Sequence, residues 1–212
     1  EGAFWSSPWG NGRPGWHIEC STFAHKYCGE TVDIHGGGQD LVFPHHENEC
    51  AQSEALTEQP FVRHWLHNAH VNLRKEKMSK SLGNTFSLRD LFAQYDPMVL
   101  RFYLLQHHYR TPIDFAPEHL DAATRAYGRL ARGLNGGQDA KIDDVVLTPN
   151  LSVADWLALE QGSGIAQQLV DALCDDFNTS KALGLVFAHL DQLARKPENA
   201  SLIKVFLQKV LG

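Results

Sequence analysis

The chain has 212 residues, 43% hydrophobic and 21% charged, enough for one large domain or two modest ones. No apolar run approaches the roughly 18 residues of a membrane span, and the first residues do not have the pattern of a signal peptide. The net charge of -6 excludes a protein that coats nucleic acid nonspecifically, so any RNA contact must come from local basic patches.

Residues 1–14 carry Phe4, Trp5, Pro8, Trp9, Gly10, Gly12 and Pro14, which predicts a loop with aromatic anchors, since Gly and Pro break both regular periods. Trp16 to Tyr27 reads as a short helix with Cys20 in its first turns. Thr31-Val32-Asp33-Ile34-His35, before three glycines, reads as a short strand ending in a tight turn. A helix is expected from Pro44, because proline suits a first helical position where its missing N–H has no partner anyway. Phe61 to Leu73 supplies another buried strand, and Arg74 to Asn84 a polar, basic loop. Asp96-Pro97 predicts a capped helix to about His107.

From Pro117 the character changes. Leu120, Ala123, Tyr127, Leu130 and Leu134 are spaced 3, 4, 3, 4, a helical stripe. An irregular linker is expected over 135–152. Further stripes follow at Ile165, Leu169 and Leu173, at Leu183, Val186, Phe187, Leu190 and Leu193, and at Leu202, Val205, Phe206 and Val210. The second half reads as an antiparallel helical bundle. There is no internal repeat and no low-complexity tract.

Four cysteines, Cys20, Cys28, Cys50 and Cys174, are widely spaced and lack a disulfide-framework pattern, which points to a reducing compartment and to metal binding or catalysis. His45 and Glu49 are four apart, on one helix face, so both can reach a single ion. With Cys20 as thiolate they make a set that suits Zn²⁺ and leaves one tetrahedral position open. The plainer alternative is a helix-surface His–Glu pair beside a small buried Cys. His46 and Cys50 are also four apart on the neighbouring face, and Cys28 lies eight beyond Cys20; neither cysteine is the favoured ligand. His35 is either a turn histidine or part of a pocket lining.

Gly36-Gly37-Gly38-Gln39-Asp40 lacks side chains at three successive positions, so its backbone can approach a ligand, with Asp40 placed to accept a ribose hydroxyl; a plain turn is the alternative. Lys77-Met78-Ser79-Lys80-Ser81 puts two lysines and two hydroxyls on one loop. They can stabilise triphosphate charge as pyrophosphate leaves, or simply form a solvated basic loop.

Taken together, Gly12 to Ser21, Asp33 to Glu49, Lys77 to Asn84, Arg101 to Leu105 and His108-Tyr109-Arg110 resemble the cysteinyl-tRNA synthetases, class I aminoacyl-tRNA synthetases. The resemblance covers nearly all of residues 1–130 and continues more loosely beyond. It implies an α/β fold: the second half of a class I nucleotide-binding, Rossmann-like catalytic domain followed by the bundle. The corresponding domains are 1–73 with the zinc and adenosine segments, 74–116 with the Lys-Met-Ser-Lys-Ser loop and stem-contact region, and 117–212 as a tRNA-binding bundle. The implied activity is the ATP-dependent attachment of L-cysteine to its tRNA through cysteinyl adenylate. Cys20, His45 and Glu49 then correspond to three zinc ligands and Trp16 and His35 to walls of the cysteine pocket. Gly36, Gly37, Gly38 and Asp40 correspond to the adenosine segment, and Lys77 and Lys80 to the catalytic lysines of the loop, Lys80 also binding the ATP phosphates. One zinc per chain, ATP with Mg as substrate, cysteine tRNA as partner, a monomer, no membrane and a cytoplasmic setting complete the expectation.

Two departures stand beside it. The His-x-Gly-His signature and the family's first zinc cysteine have no counterpart here, and the last residues stop short of the family's small anticodon-binding region. With a first residue other than Met, this reads as an incomplete middle fragment, inactive in adenylation alone, with the fourth zinc ligand elsewhere. Two other readings remain. One is the related ligase that joins cysteine to an amino sugar in mycothiol synthesis, against which Asn48-Glu49 after His45-His46-Glu47 argues. The other is a non-catalytic, synthetase-derived tRNA-binding module. Arg125, Arg129 and Arg132 are either a basic stripe toward tRNA or a solvated helix face.

Overall fold

The computed structural model describes residues 2–73, 76–77, 87–135, 164–195 and 197–210. It divides into two units, Glu1–His70 and Val71–Gly212.

In the first unit a short hairpin, β1 (Trp5–Ser7) against β2 (Gly10–Gly12), occupies the stretch expected as loop, and Gly10 takes the positive φ of 108° that closes it. Helix α1 (Trp16–Cys28) follows and stops at Gly29, whose φ of 92° suits only glycine. Strand β3 (Val32–Gly38) lies parallel to β4 (Val62–Asn68), with Val32 opposite Val62 and Gly38 opposite Asn68. Parallel neighbours need a crossover, and helix α2 (Glu47–Thr57) lies within it.

Two expectations are corrected here. The three glycines continue β3 instead of turning the chain: their backbones pair with Leu66, His67 and Asn68, and ladder bonds need no side chain. Pro44 does not begin the helix. It lies in a wide turn, Val42–His46, after an extended Phe43 (φ -135°, ψ 132°), the conformation favoured before proline. The Phe43–Pro44 bond is cis. Regular helix starts only at Glu47, and the Asn48 side-chain amide takes the Pro44 carbonyl at 2.7 Å.

The buried side chains of this unit are mostly polar. Val32 and Phe61 are its buried hydrophobics among the described residues, beside Ser21, His45, His46, Glu49 and Ser53. Ser21 Oγ donates to Gln52 Oε1 at 2.7 Å, tying α1 to α2. What organises this unit is a polar cluster.

The second unit has a conventional apolar core. A small sheet runs β6 (Glu76–Lys77), β5 (Val71–Leu73), β7 (Ile113–Phe115), antiparallel then parallel. Helix α3 (Leu88–Phe92) is capped by Ser87. Helix α4 (Pro97–Leu105) is capped as the sequence predicts, with Asp96 Oδ1 accepting from the Met98 amide at 2.9 Å. Helix α5 (Pro117–Leu134) buries Leu120, Ala123, Leu130 and Leu134, with Tyr127 half-buried. Helix α6 (Ile165–Cys174) buries Ile165 and Leu169. The third stripe is two helices, α7 (Thr179–Ala188) and α8 (Leu190–Arg195), because the chain breaks at His189, whose amide bonds back to the Leu185 and Val186 carbonyls. Helix α9 (Pro197–Val210) turns Ala200, Ile203, Phe206 and Leu207 inward, while Val205 is half-buried. The linker expected over 135–152 lies, past residue 135, outside the described residues. None of the described helices is long and apolar enough to cross a membrane.

Candidate functional site

Five elements of the first unit contribute to a cluster around one carboxylate. Helix α1 contributes Trp16, His17 and Cys20; Trp16 and Cys20 are one turn apart and share a face. The wide turn contributes His45 and His46, and the first turn of α2 contributes Glu49. From β3 comes His35, and from β4 Trp65 and His67, which alternate onto one face of their strand and stack 5.7 Å apart.

Ligand atoms of Cys20, His45 and Glu49 lie within 4.8 Å of one another. Glu49 is 0% exposed. His45 Nε2 stands 2.7 Å from its Oε1 and His35 Nε2 3.5 Å from its Oε2. Neither oxygen has a hydrogen-bond partner, because the His45 contact is close without being aligned as a hydrogen bond. Burial pushes the Glu49 carboxyl up to about 7. Burial lowers the pKa of His45 and of His35, and takes that of His46 down to about 4. Burial, then Glu49 and Glu19, raise the Cys20 thiol.

This donor set fits a metal ion. A fully buried carboxylate without a hydrogen-bond partner costs roughly several kcal/mol as an anion, and a cation would offset that cost. Neutral imidazole, carboxylate and a thiol that loses its proton to a metal are the ligand types of zinc. The far side of His45 is held too: its Nδ1 lies 2.7 Å from His17 Nδ1, one ring donating and the other accepting, which fixes the ring with Nε2 facing Glu49.

A second group, His35, His46 and Glu49, also lies within 4.8 Å and shares the same carboxylate. His46 therefore turns toward His35 and away from the Cys50 pairing suggested by spacing; it bonds to His67 at 2.8 Å and its ring is 4.9 Å from Trp65. Cys50 belongs to neither group, burial pushing its thiol to about 11, and Cys28 is exposed at the end of α1.

Trp16 and His35 flank the cluster. The Trp16 ring is 4.4 Å from that of His45 and more than half exposed; His35 stands between Glu49 and Trp65. The glycines have a local use. A Cβ on Gly37 would meet His46 Cε1 at 2.8 Å, and one on Gly38 would meet Asp40 Oδ1 at 2.5 Å. Lys80 lies outside the described residues, and Lys77 is described only as backbone of β6. His17 and His67 belong to this cluster although spacing did not single them out, and spacing offered His46 only as a pair with Cys50. Their signal was the count of twelve histidines, several in or next to the elements that carry Cys20 and Glu49.

Residues 1–125 match the model of tRNA synthetases class I (C) catalytic domain. A cysteine–tRNA ligase of Geobacter sulfurreducens is 52% identical over 87% of this chain and 38% of its own. One from Geobacillus thermodenitrificans is 46% identical over 97% and 44%. The chain thus spans about two fifths of the length of the curated relatives it matches. Among solved structures, a LeuRS–tRNA–LeuAMS ternary complex from Agrobacterium radiobacter superposes with a TM-score of 0.63 at 16% identity, over 97% of this chain and 31% of that one, a likeness of fold.

Proposed function

Because the chain belongs to the family of class I (C) tRNA synthetase catalytic domains, we propose that it forms the cysteine- and zinc-binding part of a cysteine–tRNA ligase. The observation that carries this reading is the buried, donorless Glu49 beside His45 and Cys20. In the proposed reaction the cysteine carboxylate attacks the α-phosphate of ATP, which enters with Mg, and pyrophosphate leaves; a terminal ribose hydroxyl of the tRNA then attacks the carbonyl of the cysteinyl adenylate, and AMP leaves.

Cys20, His45 and Glu49 hold the ion, and His17 fixes the His45 ring from behind. Zinc supplies a soft position that favours a thiolate over a hydroxyl, a distinction that shape alone makes poorly between cysteine and serine. Trp16 and His35 wall the side chain. Gly36, Gly37, Gly38 and Asp40 take the adenosine side, and Lys77 and Lys80 offset phosphate charge as pyrophosphate departs. In this reading β3, α2 and β4 belong to the second half of a Rossmann-like domain. The helices of the second unit form an antiparallel bundle that offers Arg125, Arg129 and Arg132 to tRNA. The protein acts as a cytoplasmic monomer; its four free cysteines suit a reducing compartment.

The test is ATP–pyrophosphate exchange by the natural full-length polypeptide, with cysteine and with serine, before and after zinc removal. Preference for cysteine that collapses without zinc supports the reading; undiminished preference overturns it.

A further inference from the structure

Two segments of the second unit, far apart in sequence, are stapled together. One is Leu105 to Arg110, after α4. The other is Asp175 to Thr179, the turn between α6 and α7. Asp176 Oδ1 accepts from the Tyr109 hydroxyl at 2.6 Å and from Arg110 Nη2 at 3.1 Å, and Oδ2 from Arg110 Nε at 2.5 Å. His108 Nε2 stands 3.8 Å from Oδ2. Beside this, Thr179 Oγ1 donates to the Leu105 carbonyl at 2.8 Å. His108 stacks on Tyr109, and the Arg110 guanidinium lies over the same ring, each 5.0 Å away.

The turn that presents Asp176 is strained. Asp176 and Phe177 have φ of 57° and 53°, two consecutive left-handed residues without a glycine. Such backbone persists where its surroundings over-determine it, and it is concentrated at sites with a task. An exposed ion pair alone would need no such backbone and would contribute little.

The task follows from what comes next in the chain. Three residues after Arg110 begins β7, parallel to β5 with Val71 opposite Ile113 and Leu73 opposite Phe115; β5 in turn holds β6 with Asn72 opposite Lys77. Strands of two and three residues have little stability of their own, so their placement depends on how they are anchored. Phe115, buried, anchors one end of β7, and the Tyr103 hydroxyl donates to the Asp114 carbonyl at 3.3 Å in its middle; the staple lies three residues before the other end.

We propose that Asp176 and Arg110 are positioning residues for Lys77: their staple fixes β7, and through β5 the β6 backbone that carries Lys77. This rests on the role given to Lys77 above. The staple also links the turn between α6 and α7, through β7 and β5, to the strand that carries Lys77.

The test uses the natural full-length, zinc-loaded polypeptide with Asp176→Ala, Arg110→Ala and the double variant, and Val186→Ala as a control that loosens the core of α7. The expected result is a kcat for pyrophosphate exchange lowered roughly tenfold to a hundredfold, as small misplacements of catalytic groups cause. The KM for cysteine and the zinc content stay unchanged, and the double variant falls within about twofold of either single one, since the two act as a unit. Hydrogen exchange of the amides over 71–77 accelerates in the staple variants and not in the control. A lowered Tm with kcat within about twofold of wild type and unchanged exchange at 71–77 overturns the proposal, leaving a structural ion pair. If the wild type gave no cysteine-dependent exchange, the proposed function would fail, while the amides over 71–77 would still decide whether the staple governs the strands.

Discussion

His45 Nε2 lies 2.7 Å from Oε1 of Glu49, four residues on, yet neither oxygen of that fully buried carboxylate has a hydrogen-bond partner. The arrangement is unfavourable for an isolated protein and favourable for a protein that holds a cation there.

The first prediction follows from the direction in which Glu49 titrates. Its folded pKa of about 7 is raised from an ordinary 4.5. In the metal-free protein the native state therefore binds more protons than the unfolded state in that interval, and this group's contribution to stability falls as pH rises from about 4.5 to about 7. His46, lowered to about 4 from 6.5, acts oppositely: its contribution grows from about pH 4 to 6.5. Total stability hides both effects, so the difference between wild type and Glu49→Gln is the quantity to measure. Metal-free Glu49→Gln should gain in Tm relative to wild type as pH rises through that window. A constant difference from pH 4 to 8 contradicts the account.

Gly37→Ala should be destabilising by about 1–3 kcal/mol, the range for overpacking a tight contact, because its Cβ would press on His46 Cε1 and on Leu41 Cδ1 at 3.1 Å. Urea unfolding measures it. Gly12→Ala, where an added Cβ meets nothing within 4 Å, should be close to neutral.

These two sites show what was legible in the sequence. Glu49 and His45 were readable because a four-residue spacing can bring them together, which holds here although regular helix starts only at Glu47, and Cys20 because few thiols were available. Gly37 was not readable: a glycine triplet looks like a turn, and its real use, room for His46, depends on the fold of the wide turn between them. The same limit applies to His189, where apolar spacing continues across a break between two helices that periodicity alone cannot register. Asp96 was readable because a cap is local: an acid before a proline and a helix suffices.

Leu169→Ala should cost about 2–5 kcal/mol, as for other truncations of fully buried leucines, and leave zinc content unchanged, since Leu169 belongs to the apolar core of the second unit. Denaturant unfolding and metal analysis on one preparation decide it.

Arg125 and Arg129 are exposed on α5, and the Arg129 guanidinium also lies 4.8 Å from the Phe187 ring. If this helix meets tRNA, Arg125→Glu should weaken binding by roughly threefold to tenfold at low salt, with less effect as salt rises. Arg129→Glu should weaken binding and also lower Tm, through the lost ring contact. Filter binding against salt checks both; tRNA affinity unaffected by either reversal would remove α5 from the interface.

The central claim is that Cys20, His45 and Glu49 hold zinc, and zinc X-ray absorption with metal quantification on the same sample tests it most directly. The account predicts about one zinc per chain in the natural full-length polypeptide, with sulfur, nitrogen and oxygen in its coordination shell. The zinc should be lost or greatly weakened in Cys20→Ser and in Glu49→Gln. A chain that binds no zinc, or that keeps it with an unchanged spectrum in both variants, would contradict the account.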